Sequence, residues 1–382
     1  MRNSVWKAEI DRPPARKRVN ASPHVTVLHD GTTLDGLWTL PMITALAEAI
    51  PEAEIEVRCA RQQRDVFATS QHVRRVSELD SGATVGHDGW LIDASVTWRT
   101  TQFRWRTAAN RQIAFQMPGF GWLPWPSARE ESVTPVMNHP VYRKLELLCP
   151  LGIHATRVDY GMRPCRAAET WGWRYHLALQ SRFARPASAD RTGVTDSTDG
   201  PPTITAADVH ASIPLDRPPI LLEIDDQPNV SASRWAQLVT AVALHARSPL
   251  ILVGHPRERI AEVFTRCEKV AVAVPELDFE HLRAVVAGCR AVVGEGLATQ
   301  LAVAADRPSM RLRGRGLQRR RVGGSAWWPG KKTLREPERF SPEGTQASID
   351  WTGRPVSEVC DKIAQHLGAI EGSARPRQSR AA

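Results

Sequence analysis

Short apolar runs alternate along the chain with segments whose apolar residues recur at helical spacing. The clearest case begins with the apolar run at Val25 to Leu28, continues through Gly, Asp and Thr, and leads into apolar residues around Pro41. This order predicts a buried strand, a tight polar loop that carries Asp35, and a helix. Pro41 is compatible with the first turn of that helix, where a missing N–H costs nothing. Ligands of open parallel sheets bind at the carboxyl ends of strands, so Asp35 is predicted to lie where an active site would form.

The same alternation continues through both halves of the chain. In the first half, it predicts strands at 53–59, 89–96 and 111–115 and a helix over 141–152. In the second half, it predicts strands at 220–224, 250–254, 270–274 and 291–294 and helices over 235–246, 279–288 and 297–305. Alternating strands and helices favour parallel sheets covered on both faces. The predicted fold class is therefore α/β, with two Rossmann-like domains facing a central cleft.

Length and composition divide the chain further. Its 382 residues exceed what a single hydrophobic core usually serves. Pro, Gly, Ser, Thr and Asp dominate one internal stretch, and both ends are basic and poor in apolar residues. These shifts predict a flexible tail at 1–22, a domain at 23–185, a linker at 186–217, a second domain at 218–370 and a second flexible tail at 371–382.

The chain is basic, with 50 Lys and Arg against 41 Asp and Glu and a net charge of +9. Besides the tails, arginines concentrate in the run from Arg311 to Arg321. Such a run is compatible with phosphate, an anionic membrane surface or nucleic acid, and equally with a solvated loop. No nucleic-acid-binding motif accompanies the charge, which makes nucleic acid the least favoured partner.

Membrane insertion, secretion and zinc binding are not indicated by the sequence. No apolar run approaches the roughly 18 residues that span a bilayer, and the N-terminus lacks the apolar segment of a signal peptide. The six cysteines are far apart and form no CxxC pair. We therefore expect a cytoplasmic protein with reduced thiols and no metal site, with peripheral contact at the inner membrane left open.

Tryptophan is abundant, with 13 residues, and the first domain's later half holds Trp98, Trp105, Trp122, Trp125, Trp171 and Trp173. Indole rings stack on the apolar faces of sugars, and they also fill cores. The segment 117–126 combines aromatic residues with Pro and Gly, which disfavour regular structure. It is interpreted as an aromatic loop that contacts an acceptor or a membrane surface.

Several motifs together resemble one known family. Asp35 precedes Thr39-Leu40-Pro41, Arg234-Trp235 opens a helix, Val253 to Glu258 forms a turn after a strand, and Phe279 to Pro308 holds a helix, strand, loop and helix. This set resembles glycosyltransferase family 9, the ADP-heptose:lipopolysaccharide heptosyltransferase-like enzymes of the GT-B fold. The resemblance runs from about Val25 to Leu367.

The sequence departs from the family pattern at residues that carry chemistry. Gly294-Glu295-Gly296 replaces an Asn-Asp-Ser/Thr loop, and Gln300 stands where the family has His. Ser233 replaces a Lys, and His29 replaces an Arg. These changes leave the predicted fold unaffected and concern the identity of the donor and the activity itself.

The resemblance implies transfer of a sugar, a heptose or a related one, with inversion and without a metal or a cofactor. The donor is a nucleotide sugar such as ADP-heptose, and the acceptor is a glycan, a lipid-linked molecule or a protein. Asp35 would be the general base that deprotonates the acceptor hydroxyl. From spacing alone, a helix cap is the favoured interpretation of Asp35, and only the resemblance favours catalysis.

On the donor side, the loop Gly294-Glu295-Gly296 would offer free backbone N–H groups to the leaving diphosphate, and Arg234 would add a positive charge. Glu295 suits sugar or ribose hydroxyls, and Gln300 takes the position of the missing His. His29, Thr32 and Thr33 would line the loop on the acceptor side, although ordinary turn polarity explains them as well. An alternative function is a catalytically weakened GT-B-like protein that binds a nucleotide sugar or a partner.

Overall fold

A computed structural model of the protein describes most of the chain. The described residues are 23–81, 89–95, 97–115, 130–133, 139–155, 157–183, 215, 217–224, 230–274, 276–313, 346–351 and 353–374. The predicted N-terminal tail, most of the predicted linker, the aromatic segment 117–126 and the part of the predicted C-terminal tail after Ala374 lie outside these residues. Residues 371–374, which were predicted to begin that tail, are instead the last residues of a helix.

The first half of the chain forms a sheet of six parallel strands in the order β3-β2-β1-β4-β5-β6. The strands are β1 His24–His29, β2 Glu54–Cys59, β3 Val73–Glu78, β4 Trp90–Asp93, β5 Arg111–Phe115 and β6 Glu130–Val133. The helices are α1 Thr33–Ala49, α2 Arg64–Ala68, α3 Trp98–Trp105, α4 Pro140–Glu146 and α5 Arg166–Phe183, with 3-10 turns at Arg61–Gln63 and Cys149–Leu151.

The second half forms another sheet of six parallel strands in the order β12-β11-β10-β7-β8-β9. The strands are β7 Ile220–Ile224, β8 Leu250–Gly254, β9 Ala271–Ala273, β10 Ala291–Gly294, β11 Ser309–Arg313 and β12 Gln346–Asp350. The helices are α6 Ala232–Ala246, α7 Arg257–Thr265, α8 Phe279–Gly288, α9 Leu297–Ala304 and α10 Val356–Ala374.

Both sheets have the strand order of a Rossmann fold, in which the order of the strands reverses beside the first strand. In the first sheet this switch point lies between β1 and β4, and in the second it lies between β7 and β10. The predicted α/β class with two Rossmann-like units is confirmed. The eight strands that the apolar runs predicted are present, because strands covered on both faces need near-continuous apolar sequence. Strands β3, β6, β11 and β12 were not predicted.

The two halves share part of their hydrophobic core. One cluster of buried residues continues from the first sheet to Leu221, Val292 and Leu301 on one face of the second. α5 follows the first sheet in sequence yet packs on α8 of the second half, where His176 Nε2 donates to the carbonyl oxygen of Val285 at 3.0 Å. The second half has its own core on the opposite face, around the fully buried Trp235.

Part of the predicted basic loop is a strand. Arg311 and Arg313 lie in β11, and Arg311 pairs with Gly294 of β10. The alternation of Met310 and Leu312 with the arginines buries the apolar side chains in the sheet. The rest of the run, from residue 314 onwards, lies outside the described residues.

Candidate active site

Asp35 lies at the carboxyl end of β1, inside the first turn of α1. The helix begins at Thr33, and its N-cap is Thr32. The sequence prediction that Asp35 belongs to the loop is therefore wrong by one turn, and Thr32 is the cap residue. The cause is that Thr32 and Asp35 form a capping box, a local motif that starts the helix earlier than the apolar pattern does.

The capping box leaves the two carboxylate oxygens of Asp35 in different surroundings. Thr32 donates to Oδ2 twice, from its backbone N at 3.1 Å and from Oγ1 at 2.8 Å. No other described residue donates a hydrogen bond to the carboxylate of Asp35. The side chain is half-buried at the end of the sheet. One oxygen is therefore held by the helix cap, and the other accepts no hydrogen bond from the described residues.

A lysine from α4 lies near this carboxylate. Lys144 Nζ donates to the carbonyl oxygen of Ala94, the residue that follows β4. Burial lowers the pKa of Lys144 to about 8, while the negative charges of Asp35 and Asp93 oppose the decrease. Sequence reasoning did not find this residue, because a single lysine in an amphipathic helix is ordinary until the helix is placed against the sheet.

His29 does not line the site. Its side chain is fully buried at the end of β1, with Nδ1 at 2.9 Å from Oε1 of Gln63 and its ring edge against Phe67. Burial lowers its pKa to about 4, so the ring is neutral at pH 7. The proposed acceptor-side role of His29 is replaced by a structural one. Thr33 is the first residue of α1 and is half-buried.

Asp93 is a second carboxylate at this edge, fully buried at the end of β4 beside β1. Burial raises its pKa to about 6, although the nearby positive charge of Arg104 counteracts part of the increase. Arg104 Nη1 lies 3.5 Å from Asp93 Oδ2. Asp93 therefore supports the position of the β4 loop and is closed to a substrate.

On the donor side, the backbone N–H groups that begin α9 already have an acceptor. Glu223, in β7, accepts hydrogen bonds from the N–H groups of Gly296 at 2.7 Å, Ala298 at 3.0 Å and Thr299 at 3.3 Å, and from Thr299 Oγ1 at 3.0 Å. The prediction that the Gly294-Glu295-Gly296 loop leaves its N–H groups free is wrong for Gly296, whose N–H donates to Glu223. Sequence reasoning missed Glu223 because it appears there as one polar residue in a buried strand.

The other predicted donor-side residues also have partners within the protein. Arg234 donates to the carbonyl oxygens of Trp351, at 2.9 Å, and Arg354, and its guanidinium lies over the Trp351 ring. Gln300 is buried, and its Oε1 accepts a hydrogen bond of 3.4 Å from Trp38 Nε1 of α1. Glu295 is half-buried between β10 and α9.

Arg311 adds a positive charge near the Gly294-Glu295-Gly296 loop. It is half-buried in β11 and neighbours Gly294 in the sheet register. Its charge also acts on Tyr160 of the first half. Burial raises the pKa of Tyr160 to about 12, and the positive charge of Arg311 opposes the increase. Arg311 therefore lies where the two halves meet.

Two other features, a metal site and a membrane-spanning helix, are absent from the part of the chain that the structure describes. No three His, Cys, Asp or Glu side chains of this part of the chain are grouped so that they could hold a metal ion. None of the described helices combines the length and apolar character needed to cross a lipid bilayer.

Comparisons with known proteins identify the fold. No family model matches the sequence, and no curated protein matches it significantly. Solved structures match over nearly the whole chain. E. coli heptosyltransferase WaaC with ADP-2-deoxy-2-fluoro heptose has a TM-score of 0.56 at 16% identity, covering 92% of this chain and 100% of that one.

Two further solved structures match a similar share of this chain. A glycosyltransferase family 9 protein from Veillonella parvula has a TM-score of 0.59 at 12% identity, covering 90% of this chain and 89% of that one. E. coli ADP-heptose lipopolysaccharide heptosyltransferase II has a TM-score of 0.58 at 13% identity, covering 91% and 99%. The chain has the GT-B fold. Helix α1, which carries Asp35, follows β1, and α9, whose first N–H groups bond Glu223 of β7, follows β10. The two helices meet where Trp38 of α1 donates to Gln300 of α9.

Proposed function

We propose that the protein transfers a sugar from a nucleotide-sugar donor to a hydroxyl group of an acceptor, with inversion and with Asp35 as general base. The observation that carries the proposal is the carboxylate of Asp35 at the carboxyl end of β1, with Oδ2 held by Thr32. A carboxylate held by one oxygen accepts a proton on the other while its orientation stays constant. The GT-B fold supports a nucleotide-sugar donor, as in the E. coli structure that holds an ADP-heptose analogue.

In the proposed reaction, Asp35 takes the proton of the acceptor hydroxyl as its oxygen bonds to the anomeric carbon. The bond from that carbon to the diphosphate breaks, and the nucleoside diphosphate leaves with the electron pair. The proposed donor carries a heptose or a related sugar, and the proposed acceptor is a glycan, a lipid-linked molecule or a protein. Lys144 lies near Asp35 and contributes positive charge where the hydroxyl is deprotonated.

A second candidate function is binding of a nucleotide sugar or a partner without turnover. One observation favours it. The side chains of Glu223, Arg234 and Gln300 each form hydrogen bonds within the protein. A donor would have to replace or circumvent these contacts before its diphosphate could be held at α9.

The test is release of nucleoside diphosphate from ADP-heptose and a panel of other nucleotide sugars by the wild type and Asp35→Asn. Asparagine keeps an acceptor oxygen for Thr32 but is not a base. We expect Asp35→Asn to bind the donor with unchanged affinity and to lose roughly 10²–10⁴-fold in turnover. Wild-type turnover in Asp35→Asn would contradict the proposal, and donor binding without turnover by the wild type would favour the second candidate.

Asp278→Ala is the matched control for Asp35→Ala. Asp278 is the N-cap of α8, where its carboxylate accepts from the backbone N of His281 at 2.8 Å. Each alanine variant loses helix-capping hydrogen bonds, at a cost of about 1 kcal/mol in the free energy of unfolding. We expect turnover to disappear in Asp35→Ala only. A loss of the same size in both variants would assign Asp35 to capping alone.

A further inference from the structure

The carboxylate of Glu223 occupies the position where the N-terminus of α9 would bind an anion. Three backbone N–H groups and the hydroxyl of Thr299 converge on it at 2.7–3.3 Å. Convergent N–H groups at the start of a helix are the usual means of holding a phosphate. Here they are directed at a negative charge from the same chain.

The strand order places this carboxylate in the crevice where an α/β sheet receives a ligand. β7 and β10 are neighbours at the switch point of the second sheet, with Leu222 opposite Val293. Glu223 follows Leu222, and α9 follows β10. Ligands of such sheets bind at the switch point, beyond the carboxyl ends of the strands. Glu223 therefore competes for the same volume as a ligand of the second domain.

The loop before α9 is shaped around the glutamate. A Cβ atom added at Gly294 would lie 2.4 Å from the Cβ of Glu223, and one added at Gly296 would lie 2.4 Å from its Oε1. Contacts this short do not occur between real side chains, so both positions need glycine while Glu223 is in place. The two glycines that suggest close approach of a phosphate are explained by close approach of a carboxylate.

The carboxylate of Glu223 is buried against the start of α9. Glu223 is only 8% exposed, and its two oxygens share four hydrogen bonds with α9 and the preceding loop. A diphosphate brought to the same N–H groups would meet the negative charge of Glu223 at contact distance, which is repulsive in a partly desolvated site. It gains these donors only after the glutamate side chain has left.

We propose that Glu223 is an internal anion that occupies the phosphate position at the N-terminus of α9 and excludes a nucleoside diphosphate from it. The proposal concerns anion binding alone and does not depend on Asp35 being a base. Glu223 is in this sense an autoinhibitory contact of the second domain, and its removal converts the start of α9 into a diphosphate site.

The test is calorimetric titration of the full-length wild type and Glu223→Ala with ADP and with inorganic pyrophosphate. We expect Glu223→Ala to bind both at least about tenfold more tightly than the wild type, because three N–H groups and a hydroxyl lose their internal acceptor. Pyrophosphate measures binding of the anion in the absence of a nucleoside. Equal or weaker binding of both probes by Glu223→Ala would overturn the proposal.

Glu56→Ala is the matched control, since Glu56 is also a buried glutamate on a parallel strand, where it accepts from Ser77 Oγ at 2.6 Å and pairs with Arg58. It removes the same charge from the other sheet, and we expect it to leave pyrophosphate affinity unchanged. An equal gain in Glu56→Ala would show that only net charge had changed and would overturn the proposal.

A second measurement covers the case in which Glu223→Ala is too unstable for titration. Phosphate should raise the thermal unfolding midpoint of Glu223→Ala by several degrees more than chloride does at equal ionic strength, because it binds the folded state only. The wild type and Glu56→Ala should respond to the two salts alike. The same response in all three proteins would overturn the proposal.

Discussion

The two oxygens of Asp35 are compatible with one residue both starting a helix and acting as the proposed base. Loss of the capping hydrogen bonds costs about 1 kcal/mol of stability. Loss of a general base lowers a rate by roughly 10²–10⁴-fold, which corresponds to about 3–5 kcal/mol in the activation barrier. Loss of the cap therefore changes the free energy of unfolding by a small amount, whereas loss of the base changes the rate by a large one. The proposed catalytic role therefore does not require Asp35 to give up its role in the helix cap.

At the same scale, His29 makes the protein sensitive to mild acid. Burial lowers its pKa from 6.5 to about 4, so between these values the unfolded chain binds a proton that the folded chain does not. Stability is therefore lost as the pH falls through this window. We expect the wild type to lose about 3 kcal/mol more than His29→Gln in the free energy of unfolding between pH 7 and pH 4. Denaturant unfolding at several pH values measures the difference.

His245→Gln is the control for this prediction, because His245 lies exposed on α6. Its stability curve should run parallel to that of the wild type over the same range of pH. Comparing variants with the wild type cancels the other titrating groups, including Asp93, whose raised pKa acts in the opposite direction. Parallel curves for the wild type and His29→Gln would show that His29 is not buried as a neutral ring.

At the scale of elements, the start of α9 depends on a residue from β7 rather than on a cap of its own. Its N-cap is Gly296, which has no side chain to accept a hydrogen bond. Helices α1, α3, α6 and α8 have local caps in Thr32, Thr97, Ser231 and Asp278. The carboxylate of Glu223 supplies the acceptor that the local sequence lacks, and it ties the helix to the sheet.

This dependence predicts a strong effect of Gly296→Ala. The new Cβ would lie 2.4 Å from Glu223 Oε1, so the carboxylate or the loop must move. We expect a loss of about 1–3 kcal/mol in the free energy of unfolding, measured by denaturant titration. Most of that loss should disappear when the same change is made in Glu223→Ala, because the clash is then absent.

Gly368→Ala provides the control, since Gly368 lies in α10 with open space around its Cβ position. Alanine there should stabilise the helix by up to about 1 kcal/mol. If Gly296→Ala were equally well tolerated, or if its cost were the same with and without Glu223, the glycine would be required for a reason other than the glutamate.

For the whole molecule, the packing of α5 on α8 joins the two halves. Gly172 of α5 lies so close to α8 that an added Cβ would be 2.9 Å from the Cβ of Ala284. The buried cluster that continues from the first sheet to the second passes through this contact region. Because the halves share apolar surface, we expect them to unfold together.

A larger side chain at position 172 tests whether the contact between α5 and α8 couples the unfolding of the two halves. Gly172→Leu should force α5 away from α8, cost about 2 kcal/mol and lower the unfolding midpoint by about 5 °C in scanning calorimetry. Ala178→Leu, on an exposed position of the same helix, should leave the midpoint nearly unchanged. An unchanged midpoint in Gly172→Leu would mean that α5 does not couple the halves.

The elements that sequence patterns predicted and those they missed differ in burial. Strands β1, β7, β8 and β10 are apolar and covered on both faces, so their pattern stands out. β3 is an edge strand in which only Val73 is fully buried, and α3 carries mostly polar residues. Their structure is stabilised by neighbouring elements, and local sequence does not carry that information.

The sequence by itself determined two parallel α/β units, the strand–helix junction that carries Asp35 and the glycine loop before α9. These features depend on apolar periodicity and local backbone chemistry, which neighbouring residues specify. Only the tertiary structure decided what the glycine loop approaches. Glu223 and Gly296 are 73 positions apart, and they meet because the strand order places β7 beside β10. The donors at a helix N-terminus are local, but their acceptor is chosen by the packing of distant segments.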